Sequence, residues 1–99
     1  MRATPDAPTC LFELFGTARL AAGVRAITLE IDEPTRVGAL LPRLVERCPA
    51  LAGSVVDVAK SCLAAGYVLN RNGRDFLTGP DALVEPGDRL LVLSSAAGG

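Results

Sequence analysis

Arg89-Leu90-Leu91-Val92-Leu93-Ser94-Ser95-Ala96-Ala97-Gly98-Gly99 closes the 99-residue sequence. Its first five residues have the short apolar character of a strand, with Leu90 and Val92 on one side and Leu91 and Leu93 on the other. A strand with one solvated face alternates apolar and polar residues, and this one does not. Leu91 and Leu93 are therefore expected on an exposed apolar sheet face that docks a partner, with Phe15 and Phe76 beside them. The last six residues carry no charge, no ring and no bulky side chain. Gly98 and Gly99 lack a Cβ and reach conformations closed to other residues, as a catalytic site that closes around the backbone requires. The Gly99 carboxylate is thus the candidate reactive group. Ser94, Ser95, Ala96 and Ala97 form the slim stem, and six extended residues reach about 20 Å.

The rest of the composition restricts the chemistry. Ninety-nine residues fit one domain with one modest core. Apolar residues make up 49% of the chain and aromatics 4%, so that core is mostly aliphatic. The net charge is −1 with no block of like charge, which argues against nucleic acid or an anionic membrane as the main partner. The sequence contains no histidine. That removes His-based acid–base catalysis, Ser-His triads and His-containing metal sites, and no metal is expected. Cys10, Cys48 and Cys62 are odd in number and lack C-x-x-C spacing, which favours free, buried thiols in a reducing compartment. Without a signal-peptide pattern or an apolar run of about 20 residues, the expected location is the cytoplasm.

Upstream of the last strand the elements follow in order. Residues 1–9 read as a flexible leader with two prolines, 10–93 as one domain and 94–99 as a flexible tail. Cys10 to Phe15 suits a first strand with Phe12 and Leu14 on one face, and Thr17 to Gly23 one or two helical turns. Ala26 to Ile31 alternates as a half-buried strand that completes a broad hairpin. Thr35 is the expected N-cap of the main helix, Arg36 to about Arg47, whose apolar face is Val37, Leu40, Leu41, Leu44, Val45 and Cys48. Pro42 predicts a kink or a late helix start, and Arg43, Glu46 and Arg47 a solvated face. A second short helix is expected near Leu51 to Val58. Tyr67 to Arg71 and Arg74 to Leu77 read as a hairpin about Asn72-Gly73, since both central positions of a type I′ turn need positive φ. Leu83 is expected to plug the core before Pro86-Gly87-Asp88 turns the chain into the last strand.

Five pieces in this order carry a family resemblance: Phe15-Gly-Thr-Ala-Arg-Leu-Ala-Ala-Gly23, Thr35-Arg-Val-Gly-Ala-Leu40, Pro49-Ala-Leu51, Leu69-Asn70, and Gly87-Asp88 before the final strand and Gly-Gly end. Over about Leu11 to Gly99 the chain resembles the MoaD/ThiS group of ubiquitin-like sulfur carriers. The resemblance implies an α+β, β-grasp fold, a mixed sheet of four to five strands packed on one main helix. Ser94-Ser95 stands where molybdopterin-synthase small subunits usually carry proline, and Leu20 where they often carry an acidic residue.

A carboxylate is a poor electrophile, and the resemblance implies how it is activated. An E1-like adenylyltransferase of the MoeB/ThiF type uses ATP to convert Gly99 into an acyl-adenylate. A sulfurtransferase or other sulfur donor displaces AMP and leaves a thiocarboxylate, which delivers sulfur to an acceptor synthase subunit. The chain itself is then a carrier rather than an enzyme, with no bound cofactor. Molybdopterin synthesis is the first pathway implied. A carrier for thiazole, cysteine or a sulfur-containing secondary metabolite, a ubiquitin-like protein modifier, and a plain interaction module are the alternatives.

Overall fold

The computed structural model describes residues 8–95. Among these residues, nine strands and two helices form the order β1 (Thr9–Leu14), α1 (Gly16–Ala22), β2 (Ala26–Glu30), β3 (Thr35–Arg36), α2 (Val37–Arg47), β4 (Val56–Asp57), β5 (Cys62–Leu63), β6 (Tyr67–Arg71), β7 (Asp75–Leu77), β8 (Leu83–Val84) and β9 (Arg89–Ser94). Five strands make the main sheet in the order β2-β1-β9-β6-β7. The central pair, β1 and β9, is parallel and its flanking pairs are antiparallel, so the sheet is mixed. A parallel pair needs a long connection, and α2 lies within it.

One face of this sheet closes on α2. Phe12, Leu14, Ile27, Leu29, Leu69, Leu90 and Val92 from the sheet meet Val37, Leu40, Leu41 and Leu44 from the helix in a single buried cluster. The alternation of β1 and β2 follows the sequence, with Phe12 and Leu14 inward and Ile27, Leu29 and Ile31 buried. Asn72 and Gly73 both have positive φ, at 56° and 73°, as the Asn-Gly turn requires. The Asn72 carboxamide also ties that turn to the next one: its Nδ2 donates to Asp88 Oδ1 at 3.0 Å, and its Oδ1 accepts from Arg89 N at 2.8 Å. Both turns thereby fix where β9 begins.

Three expectations are corrected, and of the two outcomes expected at Pro42 the late helix start does not occur. Thr35 is not the N-cap of α2. It belongs to β3, its hydroxyl donates to Glu33 O, and Arg36 is the N-cap without a side-chain bond. The first amides of α2 are satisfied from a distance instead, Val37 N by Ala82 O at 2.9 Å and Gly38 N by Pro80 O at 2.8 Å. Nor does Pro42 delay the helix, which runs from Val37 through it to Arg47. The second helix is absent: Pro49–Leu51 is a single 3-10 turn, and β4 and β5 form a small hairpin beyond it. Val84 rather than Leu83 plugs the core, at 0% against 51% exposure. A slip of one residue in a strand exchanges its faces.

The helix charges are not simply solvated either. Arg43 Nη2 donates to Glu30 O at 2.6 Å and Arg47 Nη1 to Thr28 O at 3.1 Å. Both carbonyls belong to the edge strand β2, so α2 covers hydrogen-bonding groups that would otherwise invite another strand.

Candidate functional site

Among the described residues, no helix lies on the opposite face of the main sheet. Strand register places its side chains in rows. One row runs Ala26, Glu13, Leu91, Asn70 and Phe76 across β2, β1, β9, β6 and β7. In the next, Leu93 lies opposite Val68. Phe15 has extended backbone, with φ −127° and ψ 154°, and its amide donates to Val92 O at 3.2 Å. That continues the alternation of β1 and puts Phe15 beside Leu93 on the same face. Four residues singled out in the sequence are thus gathered on one side. Leu91 and Leu93 are half-buried, Phe15 is 40% exposed and Phe76 59% exposed.

Ser94 ends β9 opposite Tyr67, and Ser95 N donates to Gly66 O at 2.7 Å. The chain therefore leaves the sheet from its central strand, held by backbone bonds up to Ser95. Ala96, Ala97, Gly98 and Gly99 lie outside the described residues, as does the leader through residue 7.

Charged groups border the face. Arg89 Nε donates to Glu13 Oε1 at 2.8 Å, and Arg19 and Arg25 line the same cleft beside Phe15. At the far edge Arg71 pairs with Asp75 at 2.8 Å and donates to Leu83 O, which makes it a brace for β7 and β8. The Arg71 hydrogen bond holds the Asp75 carboxyl below the usual carboxylate range. The three cysteines are free. Burial pushes the Cys10 thiol up to about 11, opposed by the nearby Arg43 charge, so the core thiol is protonated and unreactive at neutral pH.

Asn70 is the site residue that sequence reasoning passed over. It was visible only as part of the Leu69-Asn70 pair. Its place between Leu91 and Phe76 emerges from cross-strand register, which no local pattern encodes.

No family model matches the sequence, and no curated relative was found. The fold, however, has solved counterparts. The crystal structure of SAMP1 from Haloferax volcanii superposes with a TM-score of 0.74 at 27% identity, covering 92% of this chain and 99% of that one. The chain is similar to ubiquitin-like β-grasp proteins of the MoaD/ThiS type. Two more distant counterparts share the fold. Urm1 from Trypanosoma brucei has a TM-score of 0.69 at 22% identity, over 97% of this chain and 100% of that one. A candidate molybdopterin converting factor subunit 1 from Pyrococcus furiosus has 0.64 at 24%, over 88% and 97%. These neighbours agree with the β-grasp fold implied by the sequence motifs.

Proposed function

We propose that this protein is a ubiquitin-like sulfur carrier whose Gly99 carboxylate is adenylated by an E1-like enzyme and converted to a thiocarboxylate that donates sulfur in biosynthesis. The observation that carries the proposal is the path of β9. The central strand of the sheet leads directly into the sequence Ser94–Gly99, beside an apolar face that no element among the described residues covers. In this reading the domain docks by Leu91, Leu93, Phe15 and Phe76 while the tail enters the partner's catalytic site. The domain supplies placement, and the ATP-using partner supplies the leaving group.

Molybdopterin synthesis is the pathway we favour, with an acceptor synthase subunit taking the sulfur. A second reading, a protein modifier, is favoured by one particular similarity: SAMP1, a small archaeal modifier protein by name, is 27% identical over nearly its whole length. Ser94-Ser95 in place of prolines is compatible with it.

The tail is tested by Gly99→Ala and by one added C-terminal residue. Pyrophosphate release by the E1-like adenylyltransferase should fall at least about 100-fold for both variants, with unchanged circular dichroism. A factor of 100 corresponds to about 2.7 kcal/mol in the transition state. Activation of both variants at the wild-type rate would defeat the tail's role.

A further inference from the structure

Among the described residues, one enclosed side-chain polar atom has no hydrogen-bond partner, and it is the Oδ1 of Asn70. Asn70 is also the one polar side chain among the buried residues, at 8% exposure. It stands on the outer sheet face, on β6 next to the edge strand, between Leu91 on β9 and Phe76 on β7. An enclosed acceptor without a donor costs the free protein stability and returns nothing to it. An aliphatic residue of similar shape would fill the same place without that cost.

The neighbour of Asn70 on its outer side is an edge residue, Phe76. β7 is three residues long and forms the free edge of the sheet, and Phe76 on it is 59% exposed.

A second observation bears on what arrives. The cleft beside Phe15 is lined by Arg19, Arg25 and Arg89 against the single acid Glu13. Glu13 pairs with Arg89, while Arg19 and Arg25 make no ion pair among the described residues. Two uncompensated guanidiniums thus lie at the rim of an apolar face, on a chain whose net charge is −1. Such a rim selects partners with carboxylates by steering and by specificity.

We propose that this face docks a protein surface that presents one hydrogen-bond donor to Asn70 Oδ1 and carboxylates to Arg19 and Arg25. The inference rests on the carrier reading and specifies the chemistry its adenylating partner must offer. Asn70 is then a specificity-determining residue, whose unpaired state in the free protein is resolved on docking.

The test uses the E1-like adenylyltransferase of the same organism, titrated with full-length protein. Asn70→Leu is expected to raise the melting temperature of the free carrier while weakening binding about tenfold, the equivalent of about 1.4 kcal/mol. Arg19→Glu combined with Arg25→Glu is expected to fold normally, to lower the association rate at low salt and to flatten its salt dependence. A purely structural Asn70 would instead lower the melting temperature, which overturns the inference. Wild-type affinity in either variant overturns it as well. If the wild-type carrier is adenylated and both variants bind equally, the inference alone falls. If the enzyme binds none of the proteins, the carrier reading fails and takes the inference with it.

Discussion

The two faces of the main sheet are built from the same strands and similar residues, yet they meet opposite fates. On β9, Leu90 and Val92 are fully buried in the core shared with α2, while Leu91 and Leu93 on the reverse side stay half-buried with no helix or strand among the described residues laid over them. Next to Val92 the inner neighbours are the apolar Leu14 and Leu69. Next to Leu91 lie an ion pair and an unpaired carboxamide. The inner face is complete, with every neighbour supplied by the chain itself. The outer face has apolar area without cover and polar groups without partners. Its imperfections are those of half an interface, since stability alone would have favoured polar outward residues or a second helix.

Substitutions across β9 divide the faces most sharply. Leu90→Ala should cost about 3 kcal/mol, because it empties a closed site, and a fall of about 15 °C in Tm would follow for a domain of this size. Leu91→Ala should cost about 1 kcal/mol or less in thermal unfolding and yet weaken docking to the adenylating enzyme. Equal losses of stability would mean that the outer face is as much core as the inner one.

A smaller effect probes how the inner face is closed. A Cβ on Gly38 would lie 2.9 Å from Pro80 Cβ and 3.2 Å from Pro80 O. Proline is stiff, so Gly38→Ala must push away the loop whose carbonyls satisfy the first amides of α2. The better helix propensity of alanine offsets part of that cost. A net loss of about 1 kcal/mol is expected in urea unfolding, with docking unchanged.

The least effect concerns pH. Cys10 lies on the inner face, and burial raises its thiol from 9.0 to about 11. A raised folded pKa contributes stability below pH 9.0 that is lost as the pH rises towards 11, where the unfolded chain holds the thiolate and the folded one does not. Tm should therefore decline through that window, and Cys10→Ala should flatten the decline. Under native conditions at neutral pH, iodoacetamide should modify Cys48 and Cys62, which are half-buried, before Cys10.

The contrast between faces also explains what the sequence revealed. β1, β2 and the hairpin about Asn72-Gly73 were legible because alternation and turn chemistry are local properties of residues such as Phe12, Ile27 and Gly73. The α+β class and the β-grasp arrangement were implied by the family resemblance that the ordered pieces carry, and the solved counterparts agree. Residues 49–65 were not legible, because an apolar run without a clear period does not separate a helix from short strands. Leu83 and Val84 are both apolar, and only pairing with β3 decides which one points inward. Thr35 has the chemistry of a cap, but the first turn of α2 takes its acceptors from a loop over 40 residues away in sequence. For the candidate site, Leu91 and Leu93 were singled out from an apolar strand face that should have been polar, with Phe15 and Phe76 beside them, and strand register gathers the four on one side. Asn70 and the arginine rim depend on strand register and tertiary placement.

The central claim concerns Gly99, and intact-mass spectrometry tests it most directly. The purified protein is incubated with ATP, its E1-like adenylyltransferase and a sulfide source. The account predicts that one C-terminal oxygen is replaced by sulfur, a gain of about 16 Da, and that the gain disappears when ATP is omitted. An unchanged mass in the presence of an enzyme active on its own carrier would contradict it.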